Sequence, residues 1–135
     1  MNSPALRDFA LLMARLVLGV VFIAHGYQHW IGEGMRRTAQ QFAQAGVPQP
    51  RLAAYLAGSL ELVGGAMLII GLLTTIVAGI LALMMLAAGY FMHLEAGFFA
   101  SDGGIEFPLV LTVLLGLIVV FGSGRVSLDK VLIDG

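Results

Sequence analysis

"IVAGILALMMLAAGYFMHL", residues 76 to 94, contains no Asp, Glu, Lys or Arg. A helix at the surface of a soluble bundle keeps a polar face for water, and no face of this stretch would be polar. Its length falls within the roughly 17 to 25 residues that a membrane-crossing helix needs. Three further apolar stretches flank it, at residues 9–30, 52–73 and 105–121. Of the 135 residues, 59% are hydrophobic and 11% charged, with a mean hydropathy of +0.96. A soluble domain carries about 25% charged residues. The chain therefore reads as an all-α membrane protein: one domain, residues 1–135, built as a four-transmembrane-helix bundle.

The first stretch is not a cleavable leader on this reading. Arg15 interrupts it, and "FIAHGYQ" offers no small-x-small cleavage site. The longest polar segment, "IGEGMRRTAQQFAQAGVPQPR", separates helices 1 and 2. Within it, Met35, Ala39, Phe42 and Ala43 share a helical face, Gly46 suits a C-cap and Pro48 a stop. A short interfacial helix is expected there. "GLLTT" forms a tight uncharged hairpin between helices 2 and 3, and Pro108 suits the first turn of helix 4. Glu95 and Asp102, in the last loop, read as solvated carboxylates.

Four helices put both termini on one side. Arg7, Arg125 and Lys130 lie there, against Arg36, Arg37 and Arg51 on the first loop. Arg15, able to snorkel toward the terminal side, tips the positive-inside rule to cytoplasmic termini in a multi-pass cell-membrane protein. The chain has no cysteine, so it forms no disulfide, CxxC couple or thiolate metal site. Its net charge of −1 argues against a nucleic-acid partner.

Polar residues inside the spans are few. Glu61 is the only charged residue between Arg51 and Glu95. Small residues form a stripe on each helix: Gly19 and Gly26; Gly58 and Gly65; Gly79, Ala82 and Gly89; Gly116. In lipid such stripes let helix backbones approach closely. Arg15, Glu61 and His93 fall on or near these stripes and are expected to face the bundle interior. Chain direction brings His25, His93 and Glu106 toward the loop side, with Glu61 deeper, so the four could line one funnel. The candidate partners for Glu61 are Arg15, His25 and His93. His29 lies further along the stripe of Arg15, Gly19 and Gly26 but, between Gln28 and Trp30, reads as an interfacial belt residue. His25, His93, Glu61 and Glu106 have ligand types suited to zinc, iron or manganese. No spacing supports such a site, and no bound metal is expected.

The segments "ARLVLGVVFIAHGYQHW", "AGSLELVGGAMLIIGLLTTIVAGILALMMLAA", "MHLEAGFF", "GGIEFPLVL" and "GSGRVSLD" resemble, in order, the DoxX family of four-helix membrane proteins. The resemblance runs from about Leu11 to Asp129. It places the family's recurring positions on Arg15, His25, Gly26, Glu61, Gly64, Gly65, His93, Glu106, Arg125 and Asp129. After the "HG.Q" motif the family usually has a lysine, where this chain has His29. The resemblance implies a membrane component linked to quinone-dependent oxidation of sulfur compounds or to resistance against quinone and thiol stress, often partnered with soluble redox proteins.

These readings converge on an oxidoreductase or oxidoreductase subunit that binds a quinone-like molecule in the funnel. A quinone needs an apolar slot, hydrogen-bond donors and a proton relay. Glu61, His25, His93 and Glu106 are the candidate catalytic residues. Phe22, Tyr90, Phe91 and Arg15 are the candidate cofactor-binding residues. The expected partners are the lipid bilayer, a quinone-like small molecule and a soluble redox enzyme, with self-association left open. Two other functions remain open: a proton-coupled small-molecule transporter, and a non-catalytic membrane anchor for a soluble redox enzyme.

Overall fold

A computed structural model describes residues 4–94, 97–99, 104–122 and 129–134. Among them the fold is helical throughout, with five α-helices: α1 Pro4–Tyr27, α2 Met35–Gln44, α3 Pro50–Ile70, α4 Thr74–Ala88 and α5 Glu106–Phe121. Two of these continue into π-helical turns, α1 through Gln28–Gly32 and α4 through Gly89–His93. Glu95, Asp102 and Arg125 lie outside the described residues.

Three helices are long and apolar enough to cross a membrane: Pro4–Gly32, Pro50–Ile70 and Thr74–His93. The fourth, α5, has 16 residues and is apolar after Glu106. At 1.5 Å per residue it extends about 24 Å, most of a hydrocarbon core of about 30 Å. This is a helical membrane bundle. Large side chains such as Val17, Leu83, Val113 and Val120 are exposed on its outside, where acyl chains rather than water meet them.

Helix ends follow local chemistry. Gly71 stops α3 in the left-handed region at φ 77°, three residues short of the end anticipated from hydropathy. Gly46 does the same after α2 at φ 84°, with the Val47 amide bonded to Phe42 O at 3.0 Å. Pro50 opens α3, and Pro108 lies in the first turn of α5. At both positions the missing N–H has no helical partner to lose.

Helix α1 packs most extensively on α3, and α4 on α5. The α1–α3 crossing is a glycine contact. A Cβ on Gly19 would sit 2.6 Å from Gly65 O, one on Gly65 2.7 Å from Gly19 O, and one on Gly26 3.0 Å from Gly58 O. Both glycine pairs fit a single antiparallel register. The stripe on the other two helices behaves differently: nothing lies within 4 Å of a Cβ placed on Gly79 or Gly116. There the core is made by larger side chains, Leu18, Phe22, Leu68, Leu81, Leu115 and Ile118, which join the two helix pairs.

Candidate functional site

The polar residues of the spans sort into two groups at different depths. At the end of the bundle near the α3–α4 turn, Arg15 is fully buried. Its Nη1 donates to Leu68 O at 3.1 Å and lies 3.4 Å from Ile69 O. These are among the last carbonyls of α3, which have no intrahelical amide to accept from. Asp129, from the C-terminal segment, treats α4 in the complementary way. Its Oδ1 accepts from the Leu73 amide at 2.6 Å and its Oδ2 from the Thr74 amide at 2.7 Å, while its own amide donates to Gly71 O at 2.9 Å. A cation thus serves a helix C-terminus and an anion the next helix's N-terminus, the arrangement that helix dipoles favour. Burial pushes the Asp129 carboxyl up. The bonds from Thr74 and Leu73, with the charge of Arg15, outweigh this and hold it below its ordinary value.

The second group surrounds a cavity of about 400 Å³ near the opposite end. All three histidines of the chain, His25, His29 and His93, line it together with Glu61. Phe22, Phe91, Phe107 and the thioethers of Met84, Met85 and Met92 form its apolar walls. Helix α2 contributes Gln41 and Phe42 as a roof. That helix is held by buried Met35 and by Thr38, whose Oγ1 donates to Gly34 O at 2.9 Å and lies 3.4 Å from His29 O. The expected face of α2 is therefore adjusted: Thr38 is buried, and Ala43 is exposed.

Glu61 is 3% exposed, and its partner is His29. His29 Nδ1 stands 3.0 Å from Glu61 Oε1. This corrects two expectations: neither Arg15, His25 nor His93 makes the close contact with Glu61, and His29 is not merely a belt residue. His29 continues the buried face of α1, the one that carries Phe22 and Gly26, into the π-helical turn. In that turn the Glu33 amide bonds to Gln28 O at 2.7 Å, five residues back. Phe42 meets the His29 ring edge to face at 6.4 Å.

His25 has a defined tautomer. Its Nδ1 lies 2.9 Å from Val21 O, and a carbonyl can only accept, so Nδ1 carries the proton. The neutral ring then presents Nε2 as an acceptor. Phe107 stacks on it, with centroids 5.4 Å apart and planes 22° apart. His93 closes the second π-helical turn, half-buried at the cavity wall.

The remaining candidates fall elsewhere. Glu106 begins α5, its amide bonded to Phe98 O at 2.7 Å, and its side chain is not among those lining the cavity. Arg15 is at the other end of the bundle and caps α3. Tyr90 is 67% exposed and lines a separate outer groove, although its neighbour Phe91 faces the cavity. The structure therefore gathers Glu61, His25, His93, Phe22 and Phe91 and adds His29, leaving Glu106, Tyr90 and Arg15 outside. Among the described residues no three His, Cys, Asp or Glu side chains group closely enough to hold a metal ion. What the cavity combines is an apolar slot, imidazoles able to donate or accept, and a carboxylate held against one of them.

Comparison with known proteins gives this geometry a lineage. The family model described as DoxX matches residues 10–94, a span that includes Arg15, all three histidines and Glu61. A Bacillus subtilis protein named "Putative oxidoreductase CatD" is 30% identical over 128 residues, covering 95% of this chain and 90% of that protein. An uncharacterized protein of Haemophilus influenzae is 32% identical over 132 residues, covering 96% and 95%. An uncharacterized membrane protein of Mycobacterium tuberculosis is 33% identical over 136 residues, covering 90% and 80%. No solved structure matches the chain significantly. With the family model spanning more than half of the chain and relatives aligned over nearly all of it, the chain belongs to the DoxX family.

Proposed function

We propose that the protein is the membrane component of a redox system and that its cavity binds the ring of a quinone-like molecule. One observation carries this reading: all three histidines converge with a buried glutamate on a single apolar cavity beneath an amphipathic roof. Its volume of about 400 Å³ lies in the roughly 300–1,000 Å³ range of small-molecule sites. The relative named as an oxidoreductase agrees with a redox role.

Reduction of a quinone to its quinol takes up two electrons and two protons. The cavity supplies groups for the protons. The imidazole of His93 can donate to a quinone oxygen, His25 Nε2 can accept from the quinol hydroxyl, and His29, oriented by Glu61, donates and regains a proton as a general acid and base. The electrons come from a separate redox protein, the electron partner that a quinone needs to complete turnover. Arg15 favours an orientation with both termini in the cytoplasm.

Calorimetry in detergent with a tailless naphthoquinone tests the reading. His93→Ala should weaken binding of the quinone, and His25→Ala that of the corresponding naphthoquinol, each about tenfold, the loss of one hydrogen bond of roughly 1.4 kcal/mol. Gly79→Ala, which meets no neighbour within 4 Å, should leave affinity unchanged. Equal affinity in all three variants would remove the cavity as the binding site and leave an anchoring role ahead.

A further inference from the structure

The outer groove that contains Tyr90 runs between α4 and α5 and has a volume of about 230 Å³. Its walls are Leu86, Gly89, Leu94, Ile105 and Leu109, with Met85 and Pro108 at its base. Met85 and Pro108 also line the inner cavity. The two spaces are therefore back to back, separated by one flexible thioether and one proline ring. Gly89 keeps this partition thin: a Cβ placed on it would reach only the Pro108 ring, at 3.9 Å. Tyr90 and Phe91 meet edge to face across the same boundary, 5.1 Å between centroids, one in the groove and the other in the cavity.

The groove differs chemically from the cavity. Thr112 is the hydroxyl on its α5 side, and its Oγ1 already donates to Pro108 O at 2.7 Å. Leu86, Leu94 and Leu109 are about half exposed, on a surface that faces acyl chains. The cavity, in contrast, is roofed by Gln41 and Phe42 of α2. A molecule dissolved in the bilayer would have to enter sideways, and the place where a lipid-facing groove abuts the cavity is the α4–α5 seam at Gly89.

We infer that the α4–α5 groove holds the hydrocarbon tail of the same molecule whose ring occupies the cavity, so that the ligand is a long-tailed, isoprenoid-type quinone entering from the bilayer past Met85 and Gly89. The inference rests on the quinone reading above and adds the tail's path. Methionine suits the partition because three rotatable bonds let it swing aside without a polar cost. The groove adds little affinity, since lipid is as apolar as its walls. What it provides is passage: a ring that stays attached to a bilayer-anchored tail needs a lateral exit for that tail.

Two variants fill the seam without touching the histidines or Glu61, namely Gly89→Leu and the lipid-facing Leu109→Trp. Their binding in lipid nanodiscs is compared for a tailless naphthoquinone and for the same ring carrying a four-isoprene tail. In the wild type, a tailed quinone bearing a diazirine on its first isoprene unit should label Leu86, Tyr90, Leu109 or Thr112. In both variants the tailed quinone should bind about tenfold more weakly, while the tailless one should bind as in the wild type. Leu109→Trp lies on the lipid face and serves if Gly89→Leu does not fold. Unchanged binding of both ligands, or labelling confined to α1 and α3, would overturn the tail path and leave the ring site standing. Failure of the wild type to bind even the tailless ring would instead remove the ring site, and the tail path with it.

Discussion

His29 Nδ1 and Glu61 Oε1 lie 3.0 Å apart, with the glutamate 4% and the histidine 22% exposed at their side chains. The pair joins the π-helical end of α1 to the middle of α3, below the roof formed by α2. It satisfies a carboxylate whose other surroundings are apolar, which is the condition for retaining such a group in a membrane interior. His29→Ala should therefore destabilise the bundle by up to about 3 kcal/mol, the low end for breaking a buried pair. His29→Lys restores a cation at the same site and should recover most of the loss. Glu61→Gln keeps an acceptor for Nδ1 and should be milder than Glu61→Ala. Thermal unfolding in detergent measures all four. Wild-type stability in His29→Ala would show that the contact contributes nothing.

At the other end of the bundle, Arg15 is fully buried against the last carbonyls of α3. Arg15→Leu removes the donor while leaving those carbonyls enclosed, at roughly 1–3 kcal/mol for an unsatisfied buried group. Arg15→Lys retains the charge and one of the bonds and should fall between. Because Arg15 lies away from the cavity, neither variant should alter naphthoquinone affinity in protein that remains folded. A selective loss of affinity without a loss of stability would place Arg15 in the binding machinery after all.

Asp129 makes a pH prediction. Its folded-state pKa is lowered, so its contribution to stability is complete above the unfolded carboxylate value of about 3.9 and is lost as pH falls through the lower folded value. The wild type should lose melting temperature on acidification below about pH 4. Asp129→Ala, lacking the bonds to the Leu73 and Thr74 amides, should start about 1 kcal/mol less stable at neutral pH. It should also lose less over the same acid range. Parallel curves for the two proteins would refute the assignment.

Much of this architecture is legible in the sequence because it follows local rules. Apolar runs mark the spans, Gly46 ends α2, Pro108 lies in the first turn of α5, and chain direction brings His25 and His93 toward one end of the bundle with Glu61 deeper. The partner of Glu61 is harder to read: helical spacing puts His29 on the stripe of Arg15, Gly19 and Gly26, but its place beside Gln28 and Trp30 at the helix end suits an interfacial residue equally well. Arg15 illustrates a different limit. Helical rise gives its depth, but the acceptors are backbone carbonyls 53 and 54 residues away, which no side-chain pattern reveals. Tyr90 and Phe91 show a third: neighbours in sequence, they face two different spaces. Small residues are ambiguous for a related reason, since Gly19 and Gly79 look alike until the neighbouring helix is in place.

That ambiguity yields the last prediction. Gly65 touches the opposing backbone, where a Cβ would stand 2.7 Å from Gly19 O and 2.8 Å from Ile23 Cγ1. Two rigid helices must separate to admit a methyl group, and the close approach that substitutes for hydrophobic drive in lipid is lost with it. Gly65→Ala should cost about 1–3 kcal/mol, as overpacking does, and Gly19→Ala a similar amount. Gly79 is also helical but meets no neighbour within 4 Å. Gly79→Ala should be neutral or stabilising by up to about 1 kcal/mol, from helix propensity alone. The two substitutions are chemically identical, so their difference in melting temperature isolates the α1–α3 contact. Equal effects at Gly65 and Gly79 would mean that α1 and α3 do not cross at these glycines.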